Sequence, residues 1–312
     1  MLESRLMKIP CINFYRAILL AMSLTFISAV WASPLRAGEF EVEFRNNVSS
    51  FLNTLDKDQA QACLLPITDT KNRWEMVYTG GKRPGIKISS LTGEQRSAME
   101  KALRMVISKK GWKLAEAVAK QDGEEGLGNY WLTCFGDPRK QGDFAFRIAE
   151  HHLTLVHLEL EKGEVQEFGP VLLGSNPPEI WKEEERVLIN AWKKINDPKV
   201  LSKKGEGISS HAMPEGQGMA FSSLNVEGKK AIKAAWTHRL RIFTPAIQQR
   251  INKLHTARGG WEKSKLAYYN EVPAKHCADG GRWNFKCALP GMVWDYEGSR
   301  GHIHMSLWVK KN

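Results

Sequence analysis

The sequence predicts an α+β protein in which helices pack on a mainly antiparallel sheet, within a single large domain. Two patterns predict this class. Apolar residues recur at helical spacings in several segments, whereas apolar and polar residues alternate near the C-terminus, as they do in strands. The composition, 42% hydrophobic and 25% charged, is that of a globular protein and excludes a disordered or multi-span membrane chain.

Residues 1–32 are predicted to be a secretory signal peptide. Three basic residues precede the uncharged segment Ala17–Ala32, which is shorter than the roughly 20 residues needed to cross a bilayer. Val30 and Ala32 fit the small residues that precede a cleavage site. We therefore expect residues 33–312 to be exported as a periplasmic or secreted domain, with no transmembrane segment after cleavage. An uncleaved membrane anchor is the alternative.

The helices are predicted from apolar spacing and from start signals. Apolar residues from Phe40 to Leu55 recur every three or four positions and so form one face of a helix. Thr92 followed by Gln95 is typical of a capping box, which predicts a helix over 93–108. Further helices are predicted after Gly111, over 180–195, and over 223–256 with a kink or break at Pro245.

The strands are predicted from alternation and from short apolar runs. They are expected around Trp74 and over 129–135, 143–160, 164–173, 265–272, 283–297 and 302–311. A segment rich in glycine, serine and lysine, at about 198–222, is predicted to be a flexible loop.

The positive charge does not indicate a nucleic-acid partner. The net charge is +11, but the basic residues occur as scattered doublets such as Lys109-Lys110 and Lys229-Lys230. A nucleic-acid-binding protein would concentrate them on one face. We interpret the doublets as solvated surface and expect an unidentified small molecule or envelope component as the ligand.

Export would place four cysteines in an oxidising compartment: Cys63, Cys134, Cys277 and Cys287. Cys277 and Cys287 lie close together in a glycine-rich segment and are the favoured disulfide. Cys134 lies in an apolar segment and is interpreted as either paired or a buried thiol.

His302 and His304 form the clearest candidate for a metal site. The residues at odd positions from 303 to 309 are apolar, so both histidines should share the opposite face of a strand. Two imidazoles one strand step apart can bind one metal ion. A pair of hydrogen-bonded structural histidines is the alternative.

Three further histidines lie in the segment that is predicted as one strand over 143–160. His151 and His152 would then point to opposite faces, and His157 would lie about 20 Å from His151 along the strand. We therefore expect one or two of the three at most to belong to a single site.

Several short pieces occur in a characteristic order between about residues 70 and 310. They are Trp74 and Tyr78 with Arg83 and Gly85, Leu91 and Gln95, Ser108 and Gly111, Tyr130 with Phe135-Gly136 and Pro138, Arg147 with His151-His152-Leu153, Pro170 with Gly174 and Pro177, and His302-Ile303-His304. Together they resemble the bacterial family known as domain of unknown function 3500, whose members are uncharacterised and often exported. The resemblance implies no established reaction.

The two most recognisable pieces of this resemblance are histidine-rich and come from opposite ends of the chain. If their strands are neighbours, His151 or His152 would join His302 and His304 in a site for zinc, copper, iron or manganese.

Glu150 and Arg147 are the expected catalytic residues of such a site. Glu150 would act as a further ligand or as a general base, with Asp295 and Glu297 as alternatives for that role.

Three functions are compatible with the sequence. The first is an exported metal-dependent enzyme, hydrolytic or oxidative, that uses the histidines. The second is an exported binding protein in which some of the 11 tryptophans line a ligand pocket. The third is an envelope protein whose histidines are structural.

Overall fold

A sheet of 12 strands runs through the part of the chain that the computed structural model describes, namely residues 38–76, 80–160, 166–202, 213, 215–299 and 301–310. All of these residues belong to the compact unit Arg36–Asn312. The predicted signal peptide, 1–32, lies outside the described residues. None of the described helices is long and apolar enough to cross a membrane.

The strands are β1 Leu64–Leu65, β2 Ile86–Lys87, β3 Trp131–Phe135, β4 Phe144–Ala149, β5 Leu153–Glu159, β6 Phe168–Ser175, β7 Leu201–Ser202, β8 Met219–Ala220, β9 Lys265–Asn270, β10 Trp283–Leu289, β11 Met292–Ser299 and β12 His302–Val309. Their order is β1-β3-β4-β5-β6-β12-β11-β10-β9-β7, with β2 on β3 and β8 on β9. Only β1 on β3 and β7 on β9 are parallel among these pairs.

The helices are α1 Glu39–Asn53, α2 Lys57–Cys63, α3 Thr70–Trp74, α4 Gly93–Val106, α5 Lys109–Asp122, α6 Lys182–Ile195, α7 Val226–Leu240, α8 Pro245–Ala257 and α9 Gly260–Lys263. The α+β class is therefore confirmed. The Thr92 hydroxyl accepts a hydrogen bond from the Gln95 amide at the start of α4, as the capping box predicts. Pro245 begins α8, so the predicted break between the last two long helices is also confirmed.

The longer helices pack on one face of the sheet, which we call the helical face. Phe44 of α1 stacks on Phe144 of β4 with ring centroids 5.7 Å apart, and Phe51 meets Phe146 edge-on at 5.8 Å. Burying each such ring contributes about 1.5–3 kcal/mol to folding. This apolar layer fixes which side chains of the strands point away from it.

The opposite face of the sheet, which we call the second face, is covered partly by residues 64–76. Leu65 packs near Phe135 at one end, and Trp74 meets the ring of Trp308 edge-on with centroids 6.4 Å apart. The prediction of a strand around Trp74 is wrong, because Asp69 caps a short helix there by accepting a hydrogen bond from the Asn72 amide.

The segment 143–160 is not one strand but the hairpin β4–β5. The Glu150 amide donates a 2.7 Å hydrogen bond to the Leu153 carbonyl and so closes a turn at residues 150–152. Within the predicted flexible loop at 198–222, β7 and β8 are formed at the two ends, while residues 203–212 and 214 lie outside the described residues.

Candidate metal centre

His302 and His304 lie on β12 as the alternation predicts. Ile303 and Met305 are buried in the helical face of the sheet. His302 and His304, which alternate with them along the strand, therefore point to the second face. Both histidine side chains are half-buried at the end of the strand where residues 300 and 301 connect it to β11.

The turn between β4 and β5 brings His151 and His152 to the same end of the sheet. Strand β6 lies between β5 and β12, so the two histidine pairs do not occupy neighbouring strands. Gly174 of β6 bridges this gap: its amide donates a 2.8 Å hydrogen bond to the His152 carbonyl, and it lies directly opposite His304 in the β6–β12 register.

The imidazole rings meet above Gly174 because this residue has no side chain. A Cβ atom there would lie 2.8 Å from Cδ2 of both His152 and His304, closer than Cβ atoms approach other heavy atoms. The main chain of β6 at this position therefore forms the floor on which the two rings rest.

Four histidines form what we call the histidine cluster: His151, His152, His302 and His304. One nitrogen from each ring can be chosen so that all four lie within 4.8 Å of one another. The Nε2 atoms of His152 and His302 are 2.7 Å apart. Zinc binds imidazole nitrogen at about 2.0–2.1 Å, so tetrahedral ligands are about 3.3 Å apart, a spacing these rings reach by small rotations.

Asp122, the last residue of α5, orients one ring of the cluster. One oxygen of its carboxylate hydrogen-bonds Nδ1 of His152, and the other accepts a hydrogen bond from the Tyr130 hydroxyl. A carboxylate on Nδ1 leaves Nε2 of the same ring as the free electron-pair donor, and metal-binding histidines are commonly oriented in this way. No feature of the sequence around Asp122 indicates this role, because only the fold brings the end of α5 to the β4–β5 turn.

The environment favours the neutral form of three rings of the cluster, those of His151, His302 and His304. Burial, followed by the neighbouring imidazoles, lowers the pKa of His151 to about 4 and that of His304 to about 3. The same two causes lower the pKa of His302. Neutral imidazole is the form that binds metal ions. The Nδ1 atom of His151 is also buried without a hydrogen-bond partner among the described residues, as expected of a group awaiting a ligand.

An open cleft of about 420 Å³ adjoins the cluster, and His151 forms part of its wall. Glu150 also lines the cleft. Its Oε1 atom accepts a 3.1 Å hydrogen bond from the Gly81 amide, and its Oε2 atom lies 3.8 Å from Nε of Arg83. The remaining lining residues are Gly80, Lys87, Asp122, Asn129 and Trp131.

Of the other candidate residues, Glu297 lies directly opposite His304 in the β11–β12 register, whereas Arg147 and Asp295 are not part of the cluster. Arg147 is fully buried on the second face, four residues before His151, and donates a 3.1 Å hydrogen bond to the Glu75 carbonyl. Arg147 therefore holds residues 64–76 on the sheet and does not line the cleft. Asp295 is buried beside Lys286 at 3.7 Å, and no carboxylate shares the ligand group of the histidine cluster among the described residues.

His157 is also separate from the cluster. It points to the helical face, where its Nε2 atom lies 2.5 Å from a Glu159 oxygen and 3.0 Å from Arg250. The hairpin explains this placement, because the turn at 150–152 breaks the alternation that a single strand would have continued.

The four described cysteines are all free thiols, and the predicted pair Cys277 and Cys287 is too far apart to form a disulfide. The Cys277 thiol donates a hydrogen bond to the carbonyl of His302, and His302 lies opposite Ser299 in the β11–β12 register. Cys287 lies opposite Trp294 in the β10–β11 register. Ser299 and Trp294 are about 17 Å apart along β11, far beyond the reach of one disulfide.

Residues 40–193 match a family model that is described as "Protein of unknown function (DUF3500)". The matched segment includes Asp122 and the turn with His151 and His152, and it ends before His302 and His304. No curated protein and no solved structure matches the chain. A function therefore has to be argued from the geometry of the site.

Proposed function

The chain belongs to the DUF3500 family, and because that name states no reaction, we propose from the site itself that the protein is an exported metal-dependent enzyme, hydrolytic or oxidative. One observation carries the proposal: four imidazoles converge beside an open cleft, and one of them, His151, forms part of the cleft wall. A purely structural cluster needs no such opening to solvent.

The donor set fits a transition metal. Imidazole suits zinc, copper and iron, whereas manganese favours oxygen ligands, so zinc, copper and iron are the better candidates. When bound, such an ion would act as a Lewis acid and lower the pKa of a bound water molecule. Neutral imidazole ligands would leave the full net charge on the ion, which strengthens both its action as a Lewis acid and its effect on the pKa of the bound water.

The residues at the site have two proposed roles, binding the metal ion and transferring a proton. His152, His302 and His304 would hold the ion, because Nε2 of His152 lies 2.7 Å from Nε2 of His302 and the rings of His152 and His304 meet over Gly174. Asp122 would keep the His152 ring in place. His151 would complete the ligand set or leave its position to substrate. Glu150, held by the Gly81 amide in the same cleft, would accept a proton from the attacking water in a hydrolytic reaction.

A second candidate function is a non-catalytic binding or envelope protein with structural histidines. The 2.7 Å contact between His152 and His302 favours it, because a proton shared between these Nε2 atoms would satisfy both without a metal ion. This candidate predicts that the cluster remains intact in protein that contains no metal.

Elemental analysis of the full chain, purified without a histidine tag, tests the proposal. The unaltered chain should contain close to one metal ion per molecule, and the His302→Ala/His304→Ala variant should lose it. A His238→Ala/His276→Ala variant should keep it, because these two histidines lie outside the cluster beside Glu184 and Glu185. Circular dichroism would establish that both variants are folded.

Catalysis is tested separately from metal binding. Glu150→Gln should retain the metal but lose turnover in a screen of ester, amide and phosphoester hydrolysis or of oxygen consumption. Copper or iron in the purified protein would direct that screen to oxidative reactions, and zinc to hydrolytic ones. Absence of metal after zinc, copper, iron and manganese have each been offered would contradict the proposal.

A further inference from the structure

Two of the cysteines lie side by side at the edge of the sheet. Leu64 of β1 pairs in parallel with Cys134 of β3, and Cys63 is the last residue of α2, immediately before Leu64. Paired strands are about 4.8 Å apart and consecutive Cα atoms about 3.8 Å apart, so the Cα atom of Cys63 lies within about 9 Å of that of Cys134. Disulfides join Cα atoms at roughly 4.4–6.8 Å.

Both thiols point into the same apolar layer. Cys63 and Cys134 are fully buried and belong to the core on the helical face of the sheet. The backbone of Cys134 hydrogen-bonds the sulfur of Cys63, so this sulfur lies against the main chain of the residue that carries the second thiol. The Cys134 thiol donates a 3.3 Å hydrogen bond to the Gly136 carbonyl, which a disulfide with Cys63 would replace.

We propose that Cys63 and Cys134 form a disulfide when the protein folds in an oxidising environment. The two thiols lose two protons and two electrons as the sulfur–sulfur bond forms. A disulfide oxidant such as glutathione disulfide accepts them, and its own sulfur–sulfur bond breaks to give two thiols.

The bond forms during folding and not in the finished protein. Burial raises the pKa of Cys63 to about 12 and raises that of Cys134 well above its ordinary value, so neither is a thiolate in the folded state. Both sulfurs are also closed to an oxidant once the core has formed. Exchange is fast only while the segments that carry them are still exposed.

The disulfide would secure a weakly held edge of the sheet. Strand β1 contributes only two residues to its pairing with β3. Linking its neighbour Cys63 to β3 closes a loop of about 70 residues that contains α3, α4 and α5, and loops of this length gain most from a cross-link. The end of α5 carries Asp122, so the link also restrains the helix that supports the histidine cluster.

The test is a peptide map of the unaltered full chain. The protein is refolded from denaturant in a mixture of oxidised and reduced glutathione, and in parallel under dithiothreitol. Free thiols are then alkylated in denaturant, and the chain is digested without reduction. We expect the major product of oxidative refolding to be a linked peptide pair containing Cys63 and Cys134, absent from the reduced sample.

Two variants complete the design. Cys63→Ala should remove the linked pair and leave Cys134 alkylated, whereas Cys287→Ala, another fully buried cysteine, should leave the linked pair unchanged. The proposal is overturned if Cys63 and Cys134 of the oxidised chain are alkylated separately, or if either is linked mainly to another cysteine. The map of the unaltered chain decides this even if a variant fails to fold.

Discussion

Gly174 on β6 lies directly opposite His304 on β12, and the rings of His152 and His304 occupy the space where a side chain at position 174 would stand. A histidine from the β4–β5 turn can therefore reach across a whole strand to meet the histidines of β12. Without this gap, β6 would separate the two histidine pairs.

The first prediction concerns this gap. Gly174→Ala should destabilise the protein by about 1–3 kcal/mol, because the new methyl group would lie 2.5 Å from the Ile303 carbonyl oxygen and 2.8 Å from two rings. It should also lower metal content, since the rings must move apart. Denaturant unfolding and elemental analysis measure the two effects. Gly93→Ala is the matched control: no atom lies within 4 Å of its Cβ position, and it should change stability by less than about 1 kcal/mol.

The second prediction concerns Asp122. Asp122→Asn should weaken metal binding by about 10–100-fold while the protein stays folded, because an amide holds the His152 ring less firmly and no longer favours the tautomer with a proton on Nδ1. Competition with a chromogenic chelator measures the affinity. Glu125→Gln, an exposed carboxylate nearby that meets Lys87 at 3.7 Å, should leave the affinity unchanged. An equal loss of metal affinity in both variants would mean that the negative charge near the cluster matters, and not the orientation of the His152 ring.

The third prediction concerns pH. Burial lowers the pKa of His255, which lies among Trp236 and Trp261, to about 4. The unfolded chain binds a proton near pH 6.5 and the folded protein does not, so unfolding becomes easier as the pH falls from about 6.5 to about 4. The loss from this group is about 3 kcal/mol at most, since each pKa unit is worth about 1.4 kcal/mol.

Denaturant unfolding of metal-free protein at several pH values measures this slope. His255→Gln should show a shallower dependence between pH 6.5 and pH 4 than the unaltered chain. The difference between the two curves isolates His255 from His151 and His304, which titrate in the same range. Parallel curves would contradict the prediction, because they would show that His255 has the same pKa in the folded and the unfolded protein.

The fourth prediction concerns the buried ion pair on the helical face. Arg250 donates to both oxygens of Glu159, at 2.8 and 2.9 Å. Although burial opposes it, contact with His157 and Arg250 lowers the pKa of Glu159 to about 2. Arg250→Met should cost about 3–5 kcal/mol, because it leaves a buried carboxylate without its cation.

Chemical denaturation at neutral pH measures this cost. Arg186→Met is the matched control, because Arg186 pairs with Glu183 at 3.0 Å on the exposed side of α6, and exposed pairs contribute about 0–1 kcal/mol. Similar losses in the two variants would mean that the Arg250–Glu159 pair contributes no more than a surface contact.

The errors of the sequence analysis have local causes. The turn Glu150-His151-His152 contains no glycine or proline, so no turn signal divides the hairpin and the sequence predicts one strand. The favoured cysteine pair was chosen by closeness in sequence. The structure separates that pair along β11 and instead places Cys63 next to Cys134, which are distant in sequence.

Features that depend on neighbouring residues are predictable from local sequence: the α+β class, the cap at Thr92, and the face of β12 on which His302 and His304 lie. These features follow from periods of 3.6 and 2 residues and from local hydrogen bonds. The contact between His152 and His302, which are 150 residues apart, and the orientation of the His152 ring by Asp122 arise from the packing of distant segments. Such contacts depend on strand order and register, which long-range packing sets and no local pattern encodes.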